Sequence, residues 1–125
     1  MCIPTDLKYT EDHEWARSED GLVTLGITDF AQGELGDIIF VEFPEVGDTF
    51  DAGEVFGTVE AVKTVADLMM PLAGEITEIN SGLEDTPESV NKDPYGAGWM
   101  VKIKLNEDAA FDKLMDSEAY KEIIG

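Results

Sequence analysis

From Val46 to Ile79 the chain is a succession of short runs rich in β-branched residues, broken by glycine-bearing turns and one proline. Val46-Gly47-Asp48-Thr49-Phe50 leads into Ala52-Gly53-Glu54-Val55-Phe56-Gly57-Thr58-Val59-Glu60-Ala61-Val62. Lys63-Thr64 follows, and Val65–Met70 resumes an apolar-rich run. Pro71 and Gly74 punctuate before Glu75–Ile79 alternates. This pattern predicts a small, tightly turned all-β unit.

The flanks extend the pattern. Leu7–Thr10, Glu14–Arg17, Leu22–Ile27 and Asp37–Phe43 read as strands, with turns at the Glu11-Asp12 pair and at Ser18-Glu19-Asp20-Gly21. Thr28 or Asp29 is placed to N-cap a short helix over Phe30–Leu35, and Gly36 to stop it. Later, Thr86–Val90 reads as one helical turn, Asn91–Gly98 as loop and Trp99–Leu105 as a last strand. From Asn106 the spacing becomes helical, with Ala110, Phe111, Leu114 and Met115 recurring. Ser117 is placed to cap a second short helix carrying Tyr120, Ile123 and Ile124 on one face. The 125 residues, 43% of them hydrophobic, suit one core without help from a metal or disulfide. The single cysteine, Cys2, excludes an intrachain disulfide and fits a reducing compartment. A reactive-thiol role for it is disfavoured by its place on a terminus.

Charge narrows the partners. Asp and Glu number 28 against 8 Lys and Arg, a net charge of −20. Self-repulsion of that size favours a soluble monomer. Nucleic acid and anionic membranes reward Lys and Arg clusters, and none is present. Most of the carboxylates serve as solvated surface; as a field they also steer toward partners with basic patches. No apolar run approaches a membrane span, and the N-terminus lacks a signal core. The expected location is cytoplasmic, or the mitochondrial matrix for a processed eukaryotic form.

One lysine stands apart. Val59–Asp67 reads as a hairpin with the two-residue tip Lys63-Thr64, flanked by Val59, Ala61, Val62 and Val65. The tip lacks the Gly or Asn that the tightest hairpin turns prefer. Its apex is a long, flexible amine. Between Thr10 and Asn91 there is no other lysine, so an enzyme acting here meets one target. Gly47 and Gly53 before the tip and Gly74 after it frame two similar strand–turn–strand halves. On the residues alone, a solubilising turn lysine and a dedicated attachment point both remain open. His13, the only histidine, has no Cys or Ser partner in a motif and reads as structural. Trp15, Phe40 and Trp99 read as core or cleft wall. No metal-ligand spacing, phosphate loop or nucleophile–base pair is visible.

Gly53 through Asp67, followed by Pro71-Leu72-Ala73-Gly74-Glu75-Ile76, is similar to the biotinyl/lipoyl attachment domain. The flanks narrow the likeness: Leu7-Lys8-Tyr9-Thr10, His13-Glu14-Trp15, Gly26 to Gln32, Leu35 to Pro44, Asn91-Lys92-Asp93-Pro94-Tyr95 and Gly98 to Ile103. These blocks, in this order along nearly the whole chain, resemble the H-protein family of the glycine cleavage system. Biotin carriers place Met on both sides of the lysine, and 2-oxo acid dehydrogenase lipoyl domains place Asp before it; here the neighbours are Val62 and Thr64. Glu60-Ala61-Val62-Lys63 is closest to the family's Glu-Ser-Val-Lys. Ala61, Thr64 and Met70 depart from the usual Ser, Ala and Ser.

The resemblance implies a mainly β fold, a flattened barrel-sandwich hybrid with short helices, notably at the C-terminal end. It implies one carrier domain over 1–125, with a lipoyl-like core at about 22–105 and a helical segment at about 106–125. It implies lipoic acid in amide linkage to Lys63 and a non-catalytic carrier role. Its partners would be a pyridoxal-phosphate-dependent glycine decarboxylase, a folate-dependent aminomethyltransferase, dihydrolipoyl dehydrogenase and the lipoylating enzymes. Aminomethyl cargo would pass from the first to the second, and electrons to the third. Glu60 and Gly74 match the positions that lipoylating enzymes read, with positive φ as the conformational alternative for Gly74. Glu14 and Asp67 match the carboxylates of a water-excluding cleft that holds the loaded arm. Two other carriers stay open: a biotinyl carrier, and an octanoyl or lipoyl relay protein that donates to other complexes.

Overall fold

Short alternating segments are stable only when their backbone groups pair with neighbours, and two antiparallel sheets achieve this here. The structure is a computed structural model that describes residues 3–19 and 21–124, without the side chains of 108–110. Cys2 and Asp20, named above, lie outside the described residues. One sheet has the order β1-β2-β3-β9-β8-β5. Its strands are β1 (Lys8–Tyr9), β2 (Glu14–Glu19), β3 (Leu22–Ile27), β5 (Thr49–Phe50), β8 (Gly74–Ile79) and β9 (Val101–Leu105). The other has the order β4-β6-β7, formed by β4 (Ile38–Glu42), β6 (Val55–Ala61) and β7 (Val65–Met69). The sheets face each other without closing into a continuous barrel, in keeping with the expected flattened barrel-sandwich.

Patterning explains the layers. β9 alternates, with Val101, Ile103 and Leu105 buried and Lys104 exposed, as a strand with one wet face should. Val59, Ala61, Val41 and Leu68 come from the smaller sheet into the same core as Leu25, Ile76 and Ile103 of the larger. A second cluster of Leu7, Tyr9, Trp15 and Tyr120 ties the two ends of the chain together. Tyr9 and Tyr120 stack with ring centroids 4.8 Å apart. Such a pair contributes about 0.5–1.5 kcal/mol beyond its burial.

The first helix, α1 (Asp29–Leu35), forms as its sequence predicts: Thr28 Oγ1 accepts from the Ala31 N–H at 3.2 Å, and Gly36 ends the helix at φ 84°. Two further short helices, α2 (Gly82–Asp85) and α3 (Ser89–Lys92), follow β8. α2 falls where no helix is expected, and α3 carries the single turn expected over Thr86–Val90 into the segment read as loop. The C-terminal part departs most. Instead of a helix through Met115, a 3-10 helix spans Asp108–Lys113, and Leu114 and Met115 are extended. The open edge of β1 offers backbone groups, and Met115 satisfies them: Tyr9 N–H donates to its carbonyl at 2.7 Å, and its N–H to that of Tyr9 at 3.0 Å. Pairing with a strand edge outweighed helical spacing. The last helix, α4 (Ser117–Ile124), is capped by Asp116 Oδ1, which accepts from the Ala119 N–H, rather than by Ser117. Tyr120 is buried, whereas Ile123, expected beside it, is exposed.

Candidate functional site

β6 and β7 form the hairpin, paired from Val55↔Met69 to Glu60↔Val65. The Ala61 N–H donates to the Thr64 carbonyl at 2.8 Å, which makes Val62 and Lys63 the central turn residues. The tip is thus one residue earlier than Lys63-Thr64. Neither central residue has positive φ, so the turn avoids the primed types that demand Gly or Asn. An external tie supports it: the Val62 N–H donates to the Asp37 carbonyl just before β4, at 3.1 Å. Lys63 is exposed, and its stem passes over Gly36. A Cβ on Gly36 would stand 3.3 Å from Lys63 Cε, so glycine there serves both the left-handed backbone and the stem.

Beside the hairpin lies a cavity of about 450 Å3. α1 supplies Phe30, Ala31, Glu34 and Leu35; the β1–β2 turn and start of β2 supply Asp12, His13 and Glu14. Val59, Ala66, Asp67 and Leu68 of the hairpin close it, with Ile27. Leu35, the last residue of α1, adjoins the Gly36 that Lys63 covers, so the lysine stem and the cavity meet at one helix end. The walls carry four carboxyl groups among apolar side chains, an arrangement that suits a slender apolar guest with a cationic end.

Glu14 and Asp67 line the same cavity in different ways. Asp67 is exposed at the rim, opposite Thr58 on β6. Glu14 is only 3% exposed. Its Oε2 accepts from the Met69 N–H at 2.7 Å, and its Oε1 is buried with no partner among the described residues. Burial pushes its pKa from the ordinary 4.5 up to about 8; the Met69 N–H opposes this, and the charge of Asp12 adds to it.

His13 occupies a left-handed backbone position at φ 64°, a conformation its sequence neighbourhood did not signal. Its Nδ1 is 3.0 Å from Tyr120 Oη, which is 2.7 Å from Thr28 Oγ1. Its ring lies 4.9 Å from that of Phe30. This chain of contacts holds the β1–β2 turn against the start of α1, the structural role expected of the histidine. Burial raises the Tyr120 pKa above 10, so the phenol stays neutral. Trp15 is core, its Nε1–H donating to the Pro94 carbonyl at 2.9 Å. Trp99 is partly buried against that cluster, with Lys102 Nζ 5.3 Å from its ring centroid. Phe40 corrects the expectation of core or cleft wall. A register irregularity between Ile38 and Phe40 breaks the alternation of β4 and turns Ile39 and Phe40 outward.

Glu60 is exposed, on the last hairpin pair before the tip. Gly74 belongs to the other sheet, paired with Phe50 and Leu105 and buried. These two residues thus belong to different sheets. Gly74 does not have positive φ; a Cβ there would stand 2.6 Å from the Lys104 carbonyl oxygen, so its requirement is steric.

Residues 7–125 match the family described as Glycine cleavage H-protein. The chain belongs to the glycine cleavage H-protein family. The glycine cleavage system H protein of Chlorobium limicola is 60% identical over all of this chain and 99% of its own length. That of Bacteroides thetaiotaomicron is 56% identical, covering 99% of this chain and 98% of that protein. A crystal structure of the Mycobacterium marinum H protein superposes with a TM-score of 0.87 at 43% identity, covering 94% of this chain and 95% of that one. As an H-protein family member the chain is a carrier subunit rather than a catalyst. Asn91, which the sequence offers only as part of a family-like block, anchors the helix end beside Lys63. Asn91 accepts from the Ile38 N–H at 2.9 Å and donates to Gln32 Oε1 and the Gly36 carbonyl, fixing the end of α1 to β4 beside Lys63. Its sequence signal, an Asn in a polar loop, is too common to single it out.

Proposed function

We propose that Lys63 carries a lipoyl group in amide linkage and that the cavity beside α1 shelters the loaded end of the arm. The observation that carries this reading is the buried, unpartnered Glu14 Oε1 in an apolar-walled cavity that meets the lysine stem at Gly36. When bound, the lipoyl disulfide supplies the capacity to accept an aminomethyl unit and electrons from a pyridoxal-phosphate-dependent glycine decarboxylase and to yield them to a folate-dependent aminomethyltransferase and dihydrolipoyl dehydrogenase.

The chain's own residues bind and protect. Phe30, Ala31, Leu35 and Ala66 offer an apolar bed to an arm whose amide has removed the lysine charge. Glu14 and Asp67 present carboxyl groups to a cationic cargo. An entering cation favours the ionised form of Glu14. From a pKa of about 8, ionisation at pH 7 costs on the order of 1 kcal/mol, small beside a buried charge pair. An arm seated against these walls would limit the access of water to a labile cargo. Glu60 beside the tip and Gly74 in β8 are the residues we assign to lipoylating-enzyme recognition, Gly74 acting through the sheet that it allows to pack. We place this function in a single carrier domain over 1–125, core about 22–105 and C-terminal helical segment about 106–125. No helix among the described residues is long and apolar enough to cross a membrane. The relatives named above are bacterial, which supports a cytoplasmic location.

The test is reconstituted glycine decarboxylation with the three partner enzymes, alongside intact-mass analysis after expression with a lipoate ligase. Lys63→Ala should lose both the lipoyl adduct and activity; full activity of Lys63→Ala would refute the assignment. Glu14→Ala and Asp67→Ala should shorten the lifetime of the loaded protein.

A further inference from the structure

The outward turn of Ile39 and Phe40 creates a surface that the sheltering of cargo does not use. Register places Phe40 opposite Glu60 and Glu60 opposite Val65, so the three lie abreast across β4, β6 and β7. Directly opposed residues in antiparallel pairs project to the same face. Ile39, Phe40, Val62 and Val65 are 51%, 48%, 73% and 58% exposed. These four large apolar side chains flank Glu60 and the turn that presents Lys63, and the next row of the same face is Glu42, Thr58 and Asp67. The tie from the Val62 N–H to the Asp37 carbonyl holds the two edges of the patch in fixed relation.

We propose that this apolar row, with Glu60 at its centre, is the docking surface for the enzyme that acylates Lys63. The inference rests on the lipoyl assignment and deepens it by naming where that enzyme binds. Reach selects the occupant. A bare lysine stem extends about 6 Å, so an enzyme acting on its ε-amine must bring its catalytic centre down to the turn and cover Val62 and its neighbours. An eight-carbon acyl group adds roughly another 8 Å, so enzymes acting on the far end of the arm can stand off. Charge and shape then describe the partner: an apolar patch with cations for Glu60 and for Glu42 and Asp67 beside it, drawn in by the net charge of −20. In the reaction the unprotonated ε-amine attacks the acyl carbonyl of lipoyl adenylate, made from lipoate and ATP. The amide C–N bond forms, the C–O bond to AMP breaks, AMP leaves with the bonding pair, and the amine's proton passes to a base.

The experiment compares wild type, Ile39→Thr/Phe40→Thr and the distant exposed-site control Val46→Thr/Ile123→Thr. Threonine keeps the β-branched preference of a strand, and matched denaturation curves confirm folding. The probe is an ATP-dependent lipoate ligase with free lipoate, read by intact mass against time. The Ile39/Phe40 variant should lose at least tenfold in kcat/KM for acylation, while the control changes less than twofold. Acylated to completion with excess ligase, the Ile39/Phe40 variant should support glycine decarboxylation within twofold of wild type. Unchanged acylation overturns the proposal. An equal loss in decarboxylation overturns the choice of partner, because the row would then serve every enzyme of the system. Failure of wild type itself to gain an adduct on Lys63 sinks the lipoyl assignment, and this inference with it.

Discussion

The substitution Glu14→Gln separates the electrostatics of the cavity from its shape. The amide that replaces the carboxyl keeps an oxygen for the Met69 N–H and puts a nitrogen where Oε1 has no partner. Wild-type Glu14 has an ordinary pKa of 4.5 when the chain is unfolded and about 8 when it is folded. Between those values the folded state holds a proton that the unfolded state has released. Stability therefore falls as pH rises through this window, at about 1.4 kcal/mol per pH unit. The whole gap, from 4.5 to about 8, amounts to roughly 5 kcal/mol, present below the lower value and lost above the upper. The amide does not titrate. The remaining acids are common to both proteins, so the difference isolates Glu14 together with its coupling to the charge of Asp12. Between pH 5 and pH 7.5 the stability of Glu14→Gln relative to wild type should thus grow by about 3 kcal/mol. Urea denaturation followed by tryptophan fluorescence at several pH values measures this directly. A difference independent of pH would show that Glu14 is solvated and ionised in the folded protein, and the cation-receiving role drawn from its burial would fall with it.

Tyr120→Phe keeps the ring stacked on Tyr9 but removes the contacts to His13 and Thr28; it should cost about 1–2 kcal/mol in denaturant unfolding and speed hydrogen exchange at the Ala31 amide. No change in that exchange would mean the turn and α1 are held by other means. Thr28→Ala removes the N-cap of α1 and should cost about 1 kcal/mol or more in the same unfolding assay. Gly74→Ala should destabilise by about 1–3 kcal/mol, because its Cβ meets a backbone carbonyl that cannot move alone. Wild-type stability in that variant would return Gly74 to a purely recognitional role.

Where the sequence carried local physics, the fold followed it. Thr28 and Gly36 bound α1 because capping and left-handed φ are properties of single residues. β9 is alternating and one-sided for the same reason. What stayed hidden depended on distant partners. Met115 has helical spacing, yet the edge of β1 claims its backbone, and that edge lies more than a hundred positions away in the chain. Phe40 looks like core in any periodic count; only the slip in register against β6 turns it outward. The site divided similarly. Lys63 stands out by its isolation and by the family resemblance, and its exposure at the turn was legible in the sequence. The burial of Glu14 in the cavity wall required α1, the hairpin and the β1–β2 turn to converge, and the Asn91 clamp depends on three partners more than fifty positions away.

The bond from the Met69 N–H to Glu14 has a further consequence. β7 is the outermost strand of its sheet, and such a margin is a template on which another chain can assemble. The Glu14 side chain, arriving from the larger sheet, occupies one of its donors from within. Here a carboxyl group that lines the cavity also leaves that margin one donor short for pairing with another chain.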